Sequence, residues 1–303
     1  LLDAVEVTQE VQDLTQSVPL VARKPTIVRA YLRCGPTPVL VRGELRVART
    51  PLGPWRTIAS LGPAQLDPSR SGSSLADLRS RRADLGFSLN FRIPRKFTGA
   101  GTLWLRMGRI RRATTGTPMP SLAHLPVNTV TFRAPVSLRV RLVRLRYAMG
   151  TPPVTHEPGA TDVDLIASWL RRAYPISQLD LTTTTVTATP APPFNAAQIN
   201  AQLIALRAVD ISTGTDARTH YYGMVSDAGF FMRGLASGIP QTPQPGTVAS
   251  GPTGPSTFGW DADGSYGDWY GGHELGHTVG RFHAEFCGAI GGAPLPLPER
   301  PAL

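Results

Sequence analysis

The chain has 303 residues, a net charge of +10, 41% hydrophobic and 17% charged residues, which is enough for two domains with cores of their own. No run approaches the roughly 18 apolar residues of a membrane span. Cys34 and Cys287 are too few for a disulfide scaffold or a cysteine-based metal site, and no phosphate-binding glycine loop, aromatic-rich basic stripe or other nucleic-acid motif is present.

The charge is uneven. Residues 1–146 hold 22 Arg and 2 Lys against 8 acids, a net +16; residues 147–303 hold 7 Arg against 13 acids, a net −6. A basic N-terminal half favours acidic glycans, cell walls or other anionic surfaces as partners, and the Arg bias fits a GC-rich genome equally well. No signal peptide is visible, and the first residues, Leu1-Leu2-Asp3-Ala4-Val5, read as the edge of a folded domain.

Residues 1–134 read as β structure. Segments 5–8, 26–32, 39–47, 87–93, 102–107 and 127–132 alternate apolar and polar positions and are rich in β-branched residues. Residues 69–74 and 114–120 are rich in turn formers. Short strands separated by turn signals predict a β-sandwich of immunoglobulin-like type, with the alternate arginines marking its solvent face.

Ala134-Pro135 is the expected boundary. Residues 136–147 form a strand alternating Leu or Val with Arg. Thr161 or Asp162 caps a helix that runs to about residue 173, with Val163, Ile166, Trp169 and Leu170 inward and Pro175 beyond its end. Residues 179–188 are Thr-rich and β-prone. Asn195 caps a second helix to about residue 208, with Ile199, Leu203 and Leu206 inward. Residues 220–225 make a third strand. Strand and helix in alternation predict a sheet with right-handed crossovers, so the whole chain is of α+β class. Segments 234–237 and 247–250 follow. Asp261-Ala262-Asp263-Gly264 with Asp268 has calcium-loop character without the later acids of an EF-hand; a solvated loop with a helix N-cap near Asp268 is the alternative. His124, His156 and His220 stand alone in sequence.

The sharpest signal is His273-Glu274-Leu275-Gly276-His277-Thr278-Val279-Gly280-Arg281-Phe282-His283, an H-E-x-x-H-x-x-G-x-x-H pattern without a mismatch. His273 and His277 are four residues apart and share one helix face. His283 follows His273 by ten residues, so a continuous helix would carry it roughly 15 Å along the axis. The chain must leave the helix, and Gly280 tolerates the positive φ that this needs. Three neutral imidazoles leave one ligand position open, the pattern of a catalytic zinc. Glu274 neighbours a ligand but points elsewhere, so it is free to act on a water.

This motif resembles that of the metzincin metallopeptidases. The resemblance implies that His273, His277 and His283 hold Zn2+ and that Glu274 is the general base of a zinc endopeptidase acting on a protein or peptide. It also implies an edge strand that pairs with extended substrate, for which Gly234, Leu235, Ala236 and Ser237 are the candidates; an ordinary loop rim is the other reading of that segment. A sandwich joined to such a domain resembles secreted bacterial zinc-peptidase-like proteins, which implies a secreted or cell-surface location. The expected domains are 1–134 and 135–303. The sequence departs from the family at one point. Metzincins carry a methionine turn after the third His, whereas Met107, Met119, Met149, Met224 and Met232 all precede it here. A C-terminal subdomain is therefore expected to be missing, and residues 294–301 read as a proline-rich tail. Cys287, four residues after His283, is either a buried thiol or paired outside this segment. The alternative function is a peptidase fold of weak or no turnover that binds a surface or a larger assembly through the basic sandwich.

Overall fold

The computed structural model describes residues 2–13, 15–70, 74–119, 127–230, 232–255 and 263–283. The chain divides into two compact units, Leu1–Val136 and Ser137–Leu303.

The first unit contains β1 (Leu2–Thr8), β2 (Leu20–Val21), β3 (Thr26–Leu32), β4 (Val39–Ala48), β5 (Arg56–Ala59), β6 (Ala64–Leu66), α1 (Leu75–Arg82), β7 (Leu89–Ile93), β8 (Gly101–Arg112) and β9 (Asn128–Arg133). One sheet has the order β1-β3-β7. The other runs β2-β9-β8-β4-β5, with β6 also paired to β4. The period of two in β4 sends Val41, Leu45 and Val47 inward and Arg42 outward. These residues meet Val28, Ala30, Leu89 and Phe91 of the opposite sheet in one apolar core. The unit is therefore a two-sheet sandwich.

Helix α1 departs from the all-β expectation for this segment. Its signal is a capping box: the Ser74 hydroxyl accepts from the Asp77 amide at 3.2 Å, and the Asp77 carboxylate accepts the Ser74 amide. The basic end of α1 then docks on β1. Arg81 pairs with Asp3 at 2.9 Å, and Arg82 pairs with Glu6 at 2.7 Å.

The second unit contains β10 (Ser137–Met149), β11 (Val154–His156), α2 (Ala160–Ala173), β12 (Gln178–Thr187), α3 (Ala196–Ser212), β13 (His220–Ser226), β14 (Leu235–Ala236), β15 (Ala249–Thr253) and α4 (Gly267–Thr278). Strand β10 pairs parallel with both β12 and β13, and β13 pairs parallel with β15. Strand β14 adds antiparallel at the edge of β15, and β11 pairs antiparallel with the last residues of β10. Val143, Leu145, Tyr221 and Val225 pack on Ile199 and Leu203 of α3. Asn195 caps α3, accepting from the Ala197 amide at 2.8 Å. Helix α2 starts earlier than its expected cap. Gly159 is the N-cap residue, and Asp162 sits in the first turn, accepting the Gly159 amide at 2.6 Å.

The boundary also redistributes the charge. The first unit holds 18 Arg and 2 Lys against 8 acids, a net +12, and the second 11 Arg against 13 acids, a net −2. Arg139, Arg141, Arg144 and Arg146 belong to β10, and each meets a carboxylate: Asp180 and Asp216, Asp210, and Glu157 for the last two. Part of the apparent N-terminal excess is thus neutralised inside the second unit.

Candidate metal centre

Helix α4 carries the first two histidines of the motif, and its sequence is a poor helix former. Gly267, Gly271, Gly272 and Gly276 fall within its twelve residues, and each glycine costs about 1 kcal/mol relative to alanine in a helix interior. Packing explains them. A Cβ on Gly272 would lie 2.0 Å from the Trp169 indole nitrogen, so α2 lays its tryptophan directly on bare backbone. The Tyr174 hydroxyl donates to the Gly272 carbonyl at 2.7 Å. The helix begins at Gly267 after Tyr266, so Asp268 is a buried first-turn residue and not a solvated N-cap.

The helix stops where the motif requires it to stop. Gly280 has φ +84°, its amide donates to the His277 carbonyl at 2.9 Å, and the Arg281 amide donates to the Gly276 carbonyl at 2.9 Å. This is a Schellman closure. It turns the chain back so that His283 faces the helix. The ring centroids of His273, His277 and His283 lie 4.8 to 5.0 Å apart. One ligating atom from each lies within 4.8 Å of the others, and the Nε2 atoms of His273 and His283 are 3.1 Å apart.

The protonation of these rings suits a cation. His277 Nδ1 is 2.6 Å from the Arg281 carbonyl, which can only accept, so Nδ1 carries the proton and Nε2 the lone pair. Burial, with the neighbouring His277 and His283, holds His273 down to about 4. Burial lowers His277 as well, against the opposing pull of the Arg281 carbonyl. Both are neutral at pH 7.

Glu274 lies on the buried side of the helix. Burial pushes its carboxyl up to about 7, opposed by a hydrogen bond from the Ala236 amide. That bond comes from β14, the segment singled out as a substrate edge. Leu235 and Ala236 stand opposite Ser250 and Ala249, and Ser237 donates its amide to the Val248 carbonyl at 2.8 Å. Gly234 has no side chain because Glu274 occupies the space: a Cβ there would be 2.6 Å from Oε1. One amide of this edge is therefore committed to the Glu274 carboxylate.

Beside the three histidines opens an apolar cavity of about 650 Å3, walled by Trp169, Tyr174, Pro175, Trp269 and Phe282. The sequence marks Trp169 only as an inward residue of its helix; that it shares a wall with Tyr174, Trp269 and Phe282 has no linear pattern, because these residues come from separate stretches of the chain. His220, which stands alone in the sequence, also reaches the site's helix. It is buried, with its pKa down to about 4 through burial and the nearby Arg207. The Thr278 hydroxyl donates to the Leu275 carbonyl, so His220 Nδ1 donates to Thr278 Oγ1 at 2.8 Å. His220 thereby ties β13 to the last turn of α4, beside His277.

Of the remaining candidates, His156 lies tilted against Tyr147 with ring centroids 5.3 Å apart, and Cys34 packs half-buried against the first unit's core. Asp263 and Gly264 are exposed. His124, Asp261, Ala262, Cys287 and the 294–301 tail lie outside the described residues. No protein-family model matches this chain, and no curated protein matches it significantly.

Proposed function

We propose that the second unit is a zinc-dependent endopeptidase of metzincin type and that the first is an immunoglobulin-like domain. One observation carries the enzymatic reading: three imidazoles converge at one point while a buried carboxyl of raised pKa sits on the same helix. The donor set fits zinc, which takes imidazole nitrogen readily and keeps an open position when three histidines hold it. When bound there, zinc would acidify a water and polarise a peptide carbonyl. The chain's own residues supply the rest. His273, His277 and His283 hold the ion, with the His277 ring oriented by the Arg281 carbonyl. Glu274 takes the proton from the attacking water and passes it to the leaving amine. The Ala236 amide fixes the Glu274 carboxylate against the edge strand. An antiparallel edge strand beside the helix is what an extended peptide needs in order to lie across the site.

The strand order of the first unit supports the immunoglobulin-like reading. The order β1-β3-β7 against β9-β8-β4 matches the A-B-E and G-F-C arrangement of immunoglobulin sandwiches. A location outside the cell belongs to the same reading. Metal analysis tests it. Chelator-free protein should carry about one zinc per chain and hydrolyse a mixed peptide pool, with hydrolysis stopped by chelation. If His277→Ala retained as much zinc as the parent, the assignment would fail.

A further inference from the structure

The outward face of the first unit's larger sheet carries arginines that form no ion pair among the described residues. The register of β4 and β8 sets Arg42 directly opposite Arg111, and Arg46 directly opposite Arg106. Like charges facing each other across two strands destabilise a sheet. Among the described residues none of the four is in an ion pair, in contrast with the four arginines of β10. Glu44 lies between Arg42 and Arg46 on β4 but bonds to neither; its carboxylate rests against Gly108. Arg111 reaches only the Gly116 carbonyl, at 3.4 Å. The Arg46 Nε is buried without a hydrogen-bond partner. Arg106 lies over the Trp55 ring at 4.1 Å, and Trp104 follows along β8, half-buried between Ala48 and Thr129.

We infer that this face binds an acidic polysaccharide, whose carboxylates or sulfates are received by the two arginine pairs. All four cations are arginine, whose planar fork meets such oxygens two at a time. Arg42 and Arg46 are four residues apart on one strand, about 13 Å. A nucleic-acid strand carries one phosphate every ~3.4 Å, about four over that length, and so sets some of them between the two pairs, where Glu44 lies. A polysaccharide with one acid per two sugar rings presents its charges more sparsely. The Trp55 ring is already covered by Arg106 and offers that face to no base, whereas Trp104, half-buried and two residues from Arg106 on the same face of β8, adds apolar surface for sugar C–H groups. The sequence shows the basic excess but not this grouping, because the four arginines and two tryptophans come from separate segments of the chain.

Binding of the full chain to a polyuronate, to dextran sulfate, to neutral dextran and to charge-matched single-stranded DNA tests the inference. Arg42→Gln with Arg111→Gln, and Arg46→Gln with Arg106→Gln, should each weaken polyuronate or dextran sulfate binding about tenfold, the loss of one charge-assisted contact. Arg79→Gln with Arg95→Gln removes the same charge from exposed positions elsewhere in the unit and should change binding less than about twofold. The polyuronate and sulfate arms tell which acid is preferred. Melting temperatures of the face variants should not fall, since a repulsion is removed. If one does fall, Arg42→Lys with Arg111→Lys keeps the charge, loses the fork, and should still weaken binding. Equal losses from the control pair, no binding by the parent, or tighter binding to the DNA would each overturn the proposal.

Discussion

At the scale of single residues, the site is defined by what burial does to ionisable groups. Glu274 is the clearest case. Its folded pKa of about 7 exceeds the ordinary 4.5, so the folded state holds a proton that the unfolded state has already lost. In metal-free protein this contribution to stability is fully present below pH 4.5 and is lost as pH rises to about 7. Glu274→Gln removes the titration. The parent should therefore lose stability relative to the variant across this window, by on the order of 3 kcal/mol in total; denaturant titrations at several pH values would measure it, and parallel curves would refute the buried acid. The same variant should keep its zinc and lose turnover by at least about a hundredfold, because the amide keeps the size of the side chain but cannot accept the proton. Steady-state hydrolysis rates at equal zinc occupancy check that expectation. His220 shows the complementary behaviour of a buried neutral imidazole that orients a helix end through Thr278.

At the scale of elements, α4 is a helix made possible by its neighbours. Its glycines oppose helix formation, yet they let Trp169 and the Tyr222 strand approach the backbone closely. Gly272→Ala improves helix propensity but drives a methyl group into the Trp169 indole. It should lower stability by about 1–3 kcal/mol, the usual cost of overpacking, where propensity alone predicts a gain. Thermal melts of the parent and variant decide between the two. Gly280→Ala addresses the turn itself. At φ +84° a side chain is strained, at a cost of about 1 kcal/mol, and the return of His283 depends on that turn. Zinc affinity should fall more than stability does, read by competition with a chromogenic chelator. An unchanged affinity would mean that His283 reaches the ion by another path.

At the scale of the whole molecule, two units carry two separate cores. Residues 1–136 have a closed apolar interior shared by two sheets, with α1 pinned to β1 by buried ion pairs. Expressed alone, they should fold and unfold in one cooperative thermal transition, the behaviour of a small single domain; a non-cooperative melt would show that this core is incomplete. The charge asymmetry is smaller than a cut at residue 146 suggests, because β10 balances its own arginines with Asp180, Asp210, Asp216 and Glu157. Among the described residues Arg42 and Arg46 of β4 and Arg106 and Arg111 of β8 are in no ion pair and face one another across the two strands.

Sequence by itself determined the parts whose physics is local. The spacing of His273, His277, Gly280 and His283 implies a helix, a left-handed turn and a return, since helical rise and glycine's φ freedom do not depend on neighbours. Alternation in β4 and β8 and the Asn195 cap are local in the same sense. Helix α1 was also legible, in Ser74 and Asp77, but the surrounding β pattern masked it. Tertiary structure decided what depends on residues far apart in the chain. Trp169 and Tyr174 meet α4 across roughly a hundred residues, the Ala236 amide meets Glu274, and Arg42 and Arg46 meet Arg111 and Arg106 only through strand register. No linear pattern encodes such contacts, because each arises from how sheets and helices stack, and it is this stacking that turns a zinc-ligand spacing into a buried, proton-holding site.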